Sequence, residues 1–137
     1  MSFKKVPILI EGNTSKISND LFHFAQRLSQ KVHICDSQTR RKYHLTAVWL
    51  NNFINHIAYQ AKQFSEKENL EWDFFKPLIL ETMNKMIDND PFKIQTGPAR
   101  RNDLSVINVH SSLLDGIQKE IYELISNSIQ QTYHTND

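Results

Sequence analysis

From Tyr43 to Ala61 the chain reads YHLTAVWLNNFINHIAYQA, about five helical turns without a formally charged side chain. His44, Asn51, Asn52, Asn55 and His56 are nonetheless set among its large apolar residues. At about 100° per residue, His44, Val48, Asn51 and Asn55 fall on one narrow stripe, while Leu45, Trp49, Leu50, Phe53, Ile54 and Ile57 cover the rest. A helix apolar nearly all round belongs in a core or a membrane, and five strongly polar residues would be very costly in hydrocarbon. The segment therefore predicts the buried central helix of a bundle. A buried amide or imidazole left unpaired costs on the order of 1–3 kcal/mol, so the polar seam must face a partner, a water-filled cleft or a ligand.

A length of 137 residues allows one domain with its own core, or one compact domain plus a piece of another. Sixteen Lys and Arg against fifteen Asp and Glu leave a net charge of +1. No basic stripe with interleaved aromatics stands out, which speaks against nucleic acid as a partner. The single cysteine, Cys35, has no thiol to pair with, and neither a signal peptide nor a twenty-residue apolar span is seen. These features point to a cytoplasmic protein without a membrane partner and to Cys35 as a buried, inert thiol.

Val6–Ile10 is a short β-branched run closed by Glu11-Gly12-Asn13, which predicts a buried strand and a turn. Asn13, Thr14 or Ser15 caps the helix that follows, with Ile17, Leu21, Phe24, Ala25 and Leu28 on its apolar face. Val32–Cys35 is a second strand. The result is one β-α-β unit whose strands look buried on both faces, as in a parallel sheet. Two such strands cannot stand alone, so the sheet is expected to continue in another chain or in residues before Met1.

The rest of the pattern is helical. A long helix opens at Asp36 or Ser37 and runs to about Glu68; a break follows over Asn69–Trp72. Asp73 caps the next helix, which ends near Asp88. A polar loop from Asn89 to Asn102 precedes a helix capped by Asp103, with Val106, Ile107, His110, Leu113 and Leu114 facing inward. The last helix, Ile117 to about Tyr133, presents Ile121, Leu124, Ile125, Ser128 and Ile129 on one side, and Thr132–Asp137 reads as a frayed tail.

Three glycines, Gly12, Gly97 and Gly116, cannot meet the spacing of a dinucleotide fingerprint or a P-loop. No cofactor-binding residue is therefore assigned in this chain. His44 and His56 are twelve residues apart, no HxxxH pair occurs and Cys35 stands alone, so no metal site is assigned either. In the loop, Arg100 or Arg101 could meet an anionic group, or both could be solvated beside a Gly97-Pro98 turn.

Three motifs occur in order: Lys42-x-His44-Leu45-x-Ala47-Val48-x-x-x-Asn52-Phe53-x-Asn55-His56, Pro77-Leu78-Ile79-x-Glu81-Thr82, and Gln95-Thr96-Gly97-Pro98-Ala99-x-Arg101-x-Asp103. They resemble the C-terminal domain of Rossmann-like NAD(P)-binding oxidoreductases carrying the domain of unknown function 2520, over essentially the whole chain. That domain is similar in plan to the C-terminal domains of pyrroline-5-carboxylate reductase and ketopantoate reductase. The resemblance implies a mainly α fold, a helical bundle of the 6-phosphogluconate-dehydrogenase C-terminal type preceded by a β-α-β remnant of a Rossmann-like domain. Residues 1–36 would be the remnant, and residues 37–137 the α-helical dimerisation and substrate domain.

It further implies that NADP or NAD is bound by an N-terminal domain this chain lacks, and that the isolated chain is inactive. The chain would supply the substrate side of an interdomain cleft and the interface of a homodimer. His44, Asn52 and Asn55 would be the catalytic group, with His56, Thr96 and Arg101 lining the cleft of a small-molecule substrate. The alternative expectation is a non-catalytic dimerisation or interaction module with a buried polar seam.

Overall fold

The computed structural model describes residues 3–134, and its contacts divide the chain into two units, one ending at Tyr59 and one beginning at Gln60. The fold is mainly α, with a single small parallel sheet among the described residues.

The first unit opens with a 3-10 turn (Phe3–Lys5) and strand β1 (Ile8–Ile10), followed by helix α1 (Ser15–Gln26) and strand β2 (Val32–Ile34). The strands pair in parallel, Ile8 with Val32, Leu9 with His33 and Ile10 with Ile34. Thr14 is the cap of α1, its hydroxyl accepting from the Ile17 amide at 3.2 Å. A Cβ on Gly12 would stand 2.6 Å from the Ser18 nitrogen, so only glycine lets the strand end approach α1 this closely. Buried Ser29 fastens the other end of α1, its hydroxyl donating to the Val6 carbonyl and accepting from the Lys31 amide at 3.0 Å.

The strands differ from expectation in burial: β1 is half-buried, and His33 and Ile34 are exposed. Ile17, Leu21, Phe24 and Leu28 of α1 are exposed too, because two strands give the helix little to cover.

Asp36 caps helix α2 (Ser37–Ala47) through the Thr39 amide at 2.6 Å. A six-residue π segment, Val48–Phe53, continues it, and α3 (Ile54–Lys67) follows without interruption. The predicted long helix is therefore present, but the prediction that it is buried is corrected. Tyr43, Leu45, Trp49, Leu50, Phe53 and Ile57 are all exposed, Trp49 by 62%. The sequence supplies an apolar circumference; the described residues supply nothing that packs over it.

In the second unit α3 ends at a turn in which Asn69 takes φ +56°, and the buried Ser65 hydroxyl donates to the Leu70 carbonyl at 2.9 Å. A 3-10 turn (Trp72–Phe75) leads into α4 (Lys76–Asp88). Asp73 lies inside that turn, paired with Lys76 at 2.6 Å, and does not cap the helix as predicted.

The predicted polar loop contains one helical turn, α5 (Pro91–Ile94), capped by Asp90 on the Phe92 amide at 3.0 Å. Helix α6 (Leu104–Ser112) has its predicted Asp103 cap, and α7 runs from Gly116 to His134. Helicity through His134 replaces the expected fraying up to that point, and residues 135–137 lie outside the described range.

Small side chains make the close contacts between α6 and α7: Ser111 and Ser126 are buried, and the Ser111 hydroxyl donates to Glu123 at 2.5 Å. The packed face of α7 therefore centres on Ser126, while Leu124 and Ile125, read from sequence as part of one apolar side, are exposed by 71% and 41%. His110 is likewise exposed, held at 3.0 Å from the Tyr122 hydroxyl, and Leu113 is exposed as well.

Candidate functional site

The first unit holds a cleft of about 740 Å³ between its strand pair and helix α2. Pro7, Ile8 and Leu9 with Gln30, Lys31, Val32 and His33 form the strand wall, and Arg40, Tyr43, His44 and Ala47 form the helix wall. The helix residues recur at spacings of three, one and three, which is one face of an α-helix. Lys31, Arg40 and two imidazoles line the cleft and no carboxylate does, so it favours a ligand with an anionic group.

Arg40 is positioned by Glu11 at the end of β1. Its Nη1 donates to Glu11 Oε2 at 2.8 Å, and its Nη2 to Ser37 Oγ at 3.0 Å. Glu11 also accepts from the Ser37 hydroxyl at 2.6 Å and the Ser37 amide at 2.9 Å. The Ser37 hydroxyl, then its amide and the Arg40 charge, hold the Glu11 carboxyl below the usual carboxylate range. A carboxylate is favoured at the first turn of α2, where backbone amides point outward. Between the two walls His33 meets Tyr43 edge to face, ring centroids 6.0 Å apart.

Of the residues expected in the site, His44 alone lines this cleft. Asn52 lies in the π segment, and Asn55 and His56 follow it at the start of α3; all three are exposed. The His56 ring stacks on Tyr59 at 6.0 Å. Val48 and Asn51 also stand in the π segment, so the α-helical stripe from His44 to Asn55 is interrupted.

Thr96 and Arg101 belong to the second unit. Their loop is a self-contained turn: the Arg101 amide donates to Gly97 and Pro98, that of Asn102 to Ala99 and that of Asp103 to Pro98. Ala99 is buried, and Gly97 has φ +101°. Arg100 is occupied within the unit, its guanidinium 4.3 Å above the Tyr133 ring and its carbonyl 2.9 Å from His134 Nε2. Asp103 is held below the ordinary carboxylate range, first by the Ser105 hydroxyl and then by the Val106 amide, with the Arg101 charge adding to this. Most of this motif therefore builds a turn and a helix cap.

Sequence reasoning missed Lys31, His33, Arg40 and Tyr43 as cleft residues. The signal was present in Arg40 and Tyr43, which precede His44 at helical spacing; the strand residues are brought in only by the parallel pairing. Among the described residues no group of three or more His, Cys, Asp or Glu could hold a metal, and no helix is long and apolar enough to cross a membrane.

The model of the family described as domain of unknown function (DUF2520) matches residues 6–129. The chain belongs to the DUF2520 family. A crystal structure from Bacteroides fragilis, of a protein described as putative NADP oxidoreductase BF3122, superposes with a TM-score of 0.90 at 38% identity. The match covers 96% of this DUF2520 chain and 51% of that one. Protein TM1727 from Thermotoga maritima superposes with a TM-score of 0.76 at 20% identity, over 97% of this chain and 55% of its own, a likeness of fold alone. The chain thus spans about half the length of these solved relatives. No curated protein matches it.

For a nicotinamide dinucleotide, the described residues of this DUF2520 chain do not form a phosphate cradle. The one glycine of the β1–α1 turn, Gly12, is taken up by its approach to Ser18, and the Thr14 side chain occupies an amide at the start of α1. A cradle of the usual kind needs several glycines and open helix amides.

Proposed function

We propose that this chain is the substrate-side half of an NADP-dependent oxidoreductase and that its cleft receives a small carbonyl or imine compound bearing an anionic group. The observation that carries this reading is His44 on the wall of a carboxylate-free cleft that also holds Lys31 and Arg40. The relative from Bacteroides fragilis, described as a putative NADP oxidoreductase, supports it.

In this reading residues 1–36 complete a nucleotide-binding domain that holds the NADP, and residues 37–137 form the helical substrate and dimerisation domain. Lys31 and Arg40 attract the anionic end of the substrate, and Glu11 keeps the Arg40 fork in place. His44 exchanges the proton that accompanies reduction, a task suited to an imidazole because it titrates near neutrality. Asn52 and Asn55 orient the reacting group, and His56 supports them. The exposed apolar residues of the long helix pair with a second copy.

The test uses a protein carrying both halves. NADPH oxidation is followed with small oxo acids and cyclic imino acids, in the parent and in His44→Ala. Turnover should fall by about 10²–10⁴-fold in the variant. Unchanged turnover would remove His44 from the mechanism, and no turnover of any such compound by the parent would overturn the oxidoreductase reading.

A further inference from the structure

Within the long helix, residues of like character recur every four positions. Leu45, Trp49, Phe53 and Ile57 form one apolar series, and His44, Asn52 and His56 fit a second series of the same period. In a plain α-helix a step of four advances about 40° past a full turn, so over twelve residues each series would drift about a third of the way round. The segment Val48–Phe53 is in π conformation, which takes one more residue into the turn and sets everything after it back by about 100°.

Take Arg40 as the origin. The cleft residues Tyr43, His44 and Ala47 then lie within about 60° of it. With the π lag, Asn52, Asn55, His56 and Tyr59 return to that same sector of about 60° either side. In an uninterrupted α-helix Asn52, His56 and Tyr59 would instead lie at about 120°, 160° and 100°. Leu45, Trp49, Phe53 and Ile57 gather between about 120° and 180°, on the opposite side. The Trp49 and Phe53 rings meet edge to face at 4.9 Å on this side, and His56 stacks on Tyr59 on the other.

We infer that the π segment is a phase-setting device: it aligns Asn52, Asn55, His56 and Tyr59 with the cleft face of α2 and makes Tyr59 a ligand-facing residue. Alignment follows from the helix geometry; the ligand-facing role rests on the function proposed above. The wall beyond the π segment carries neutral donors and acceptors, complementing the cationic end at Lys31 and Arg40. It therefore suits the uncharged polar part of a ligand whose anionic end sits near the strands.

A pair of histidines placed across the segment reads the phase without any ligand. In the full chain carrying His44→Ala and His56→Ala, whose native imidazoles would otherwise sit three and four residues from the new ones, Ala47→His with Asn52→His puts two imidazoles five residues apart, about 140° from one another in an α-helix but about 40° with the π lag. Nickel alone is the probe, followed by calorimetry. Affinity at least about tenfold above either single variant is expected, since imidazole pairs on one face chelate divalent nickel. No gain would overturn the phase assignment.

Deleting Leu50 from the paired variant should keep the gain, because the two histidines become four apart in a regular helix. Inserting one alanine after Leu50 should abolish it. Circular dichroism and melting identify any variant that fails to fold, and the other then decides.

The ligand-facing role is read in the two-domain protein. Leu50 deletion should leave the KM of NADPH-dependent turnover within about threefold of the parent, and Tyr59→Ala should raise it about tenfold with its melting temperature unchanged. A Tyr59→Ala KM equal to the parent's would overturn that role. A parent without turnover would sink the oxidoreductase reading, and the ligand-facing role with it; the nickel series would still decide the phase.

Discussion

Gly97 has φ +101°, and a Cβ built on it meets nothing within 4 Å, so the cost of a side chain there is backbone strain alone. Gly97→Ala should destabilise the second unit by about 1–2 kcal/mol. In urea unfolding the midpoint should drop while the slope stays put; an unchanged midpoint would refute the strain argument. Asn102, five residues on, takes φ +56° and spends its side-chain oxygen on Gln130 at 2.7 Å. Features of this local kind were legible in the sequence. Asp36, Asp103 and Thr14 cap helices because a short oxygen-bearing side chain reaches an amide two or three residues away. The fate of Arg100 was not legible, since Tyr133 is thirty-three residues away and only the fold brings its ring beneath the guanidinium.

At the scale of elements, Glu11 binds the end of β1 to the first turn of α2. Its folded carboxyl titrates below its ordinary value of 4.5, chiefly through the Ser37 hydroxyl. A depressed folded value means the unfolded chain takes up the proton first. The stabilisation is therefore complete above about pH 4.5 and fades as pH falls through the folded value. Glu11→Gln should lower thermal stability at neutral pH and lose less of it on acidification, which melting curves between pH 7 and 3 would reveal. Parallel melting curves of parent and variant across that range would contradict it.

The elements themselves were mostly readable, because the apolar periods of α1, α4 and α7 are local signals. The long helix was readable in extent and misread in phase. A uniform 100° per residue put Val48, Asn51 and Asn55 on one stripe with His44, whereas the π segment over Val48–Phe53 interrupts that stripe and shifts the phase of the residues beyond it. The cleft was half legible: its helix wall is a sequence pattern, and its strand wall comes from pairing residues more than twenty positions apart.

For the whole molecule, the apolar positions picked from sequence are largely exposed, from Phe24 in α1 to Trp49 in the long helix and Leu124 in α7. Sequence pattern identifies which faces seek cover and cannot say what provides it, because the cover is not among the described residues. Apolar surface left in water costs about 25 cal/mol per Å², so a chain with this many exposed large residues should associate. Sedimentation equilibrium from one to one hundred micromolar should show a dimer; a monomer throughout would refute pairing through these faces.

Cys35 adds a property of another kind. It is the lone cysteine, buried just after β2, with its amide bonded to the Ile10 carbonyl at 3.0 Å. With Cys35 only 9% exposed, local opening around the end of β2 should speed attack on that sulfur by a thiol reagent. The rate of its modification is thus a clock for one local event, readable without a label and without unfolding the helices.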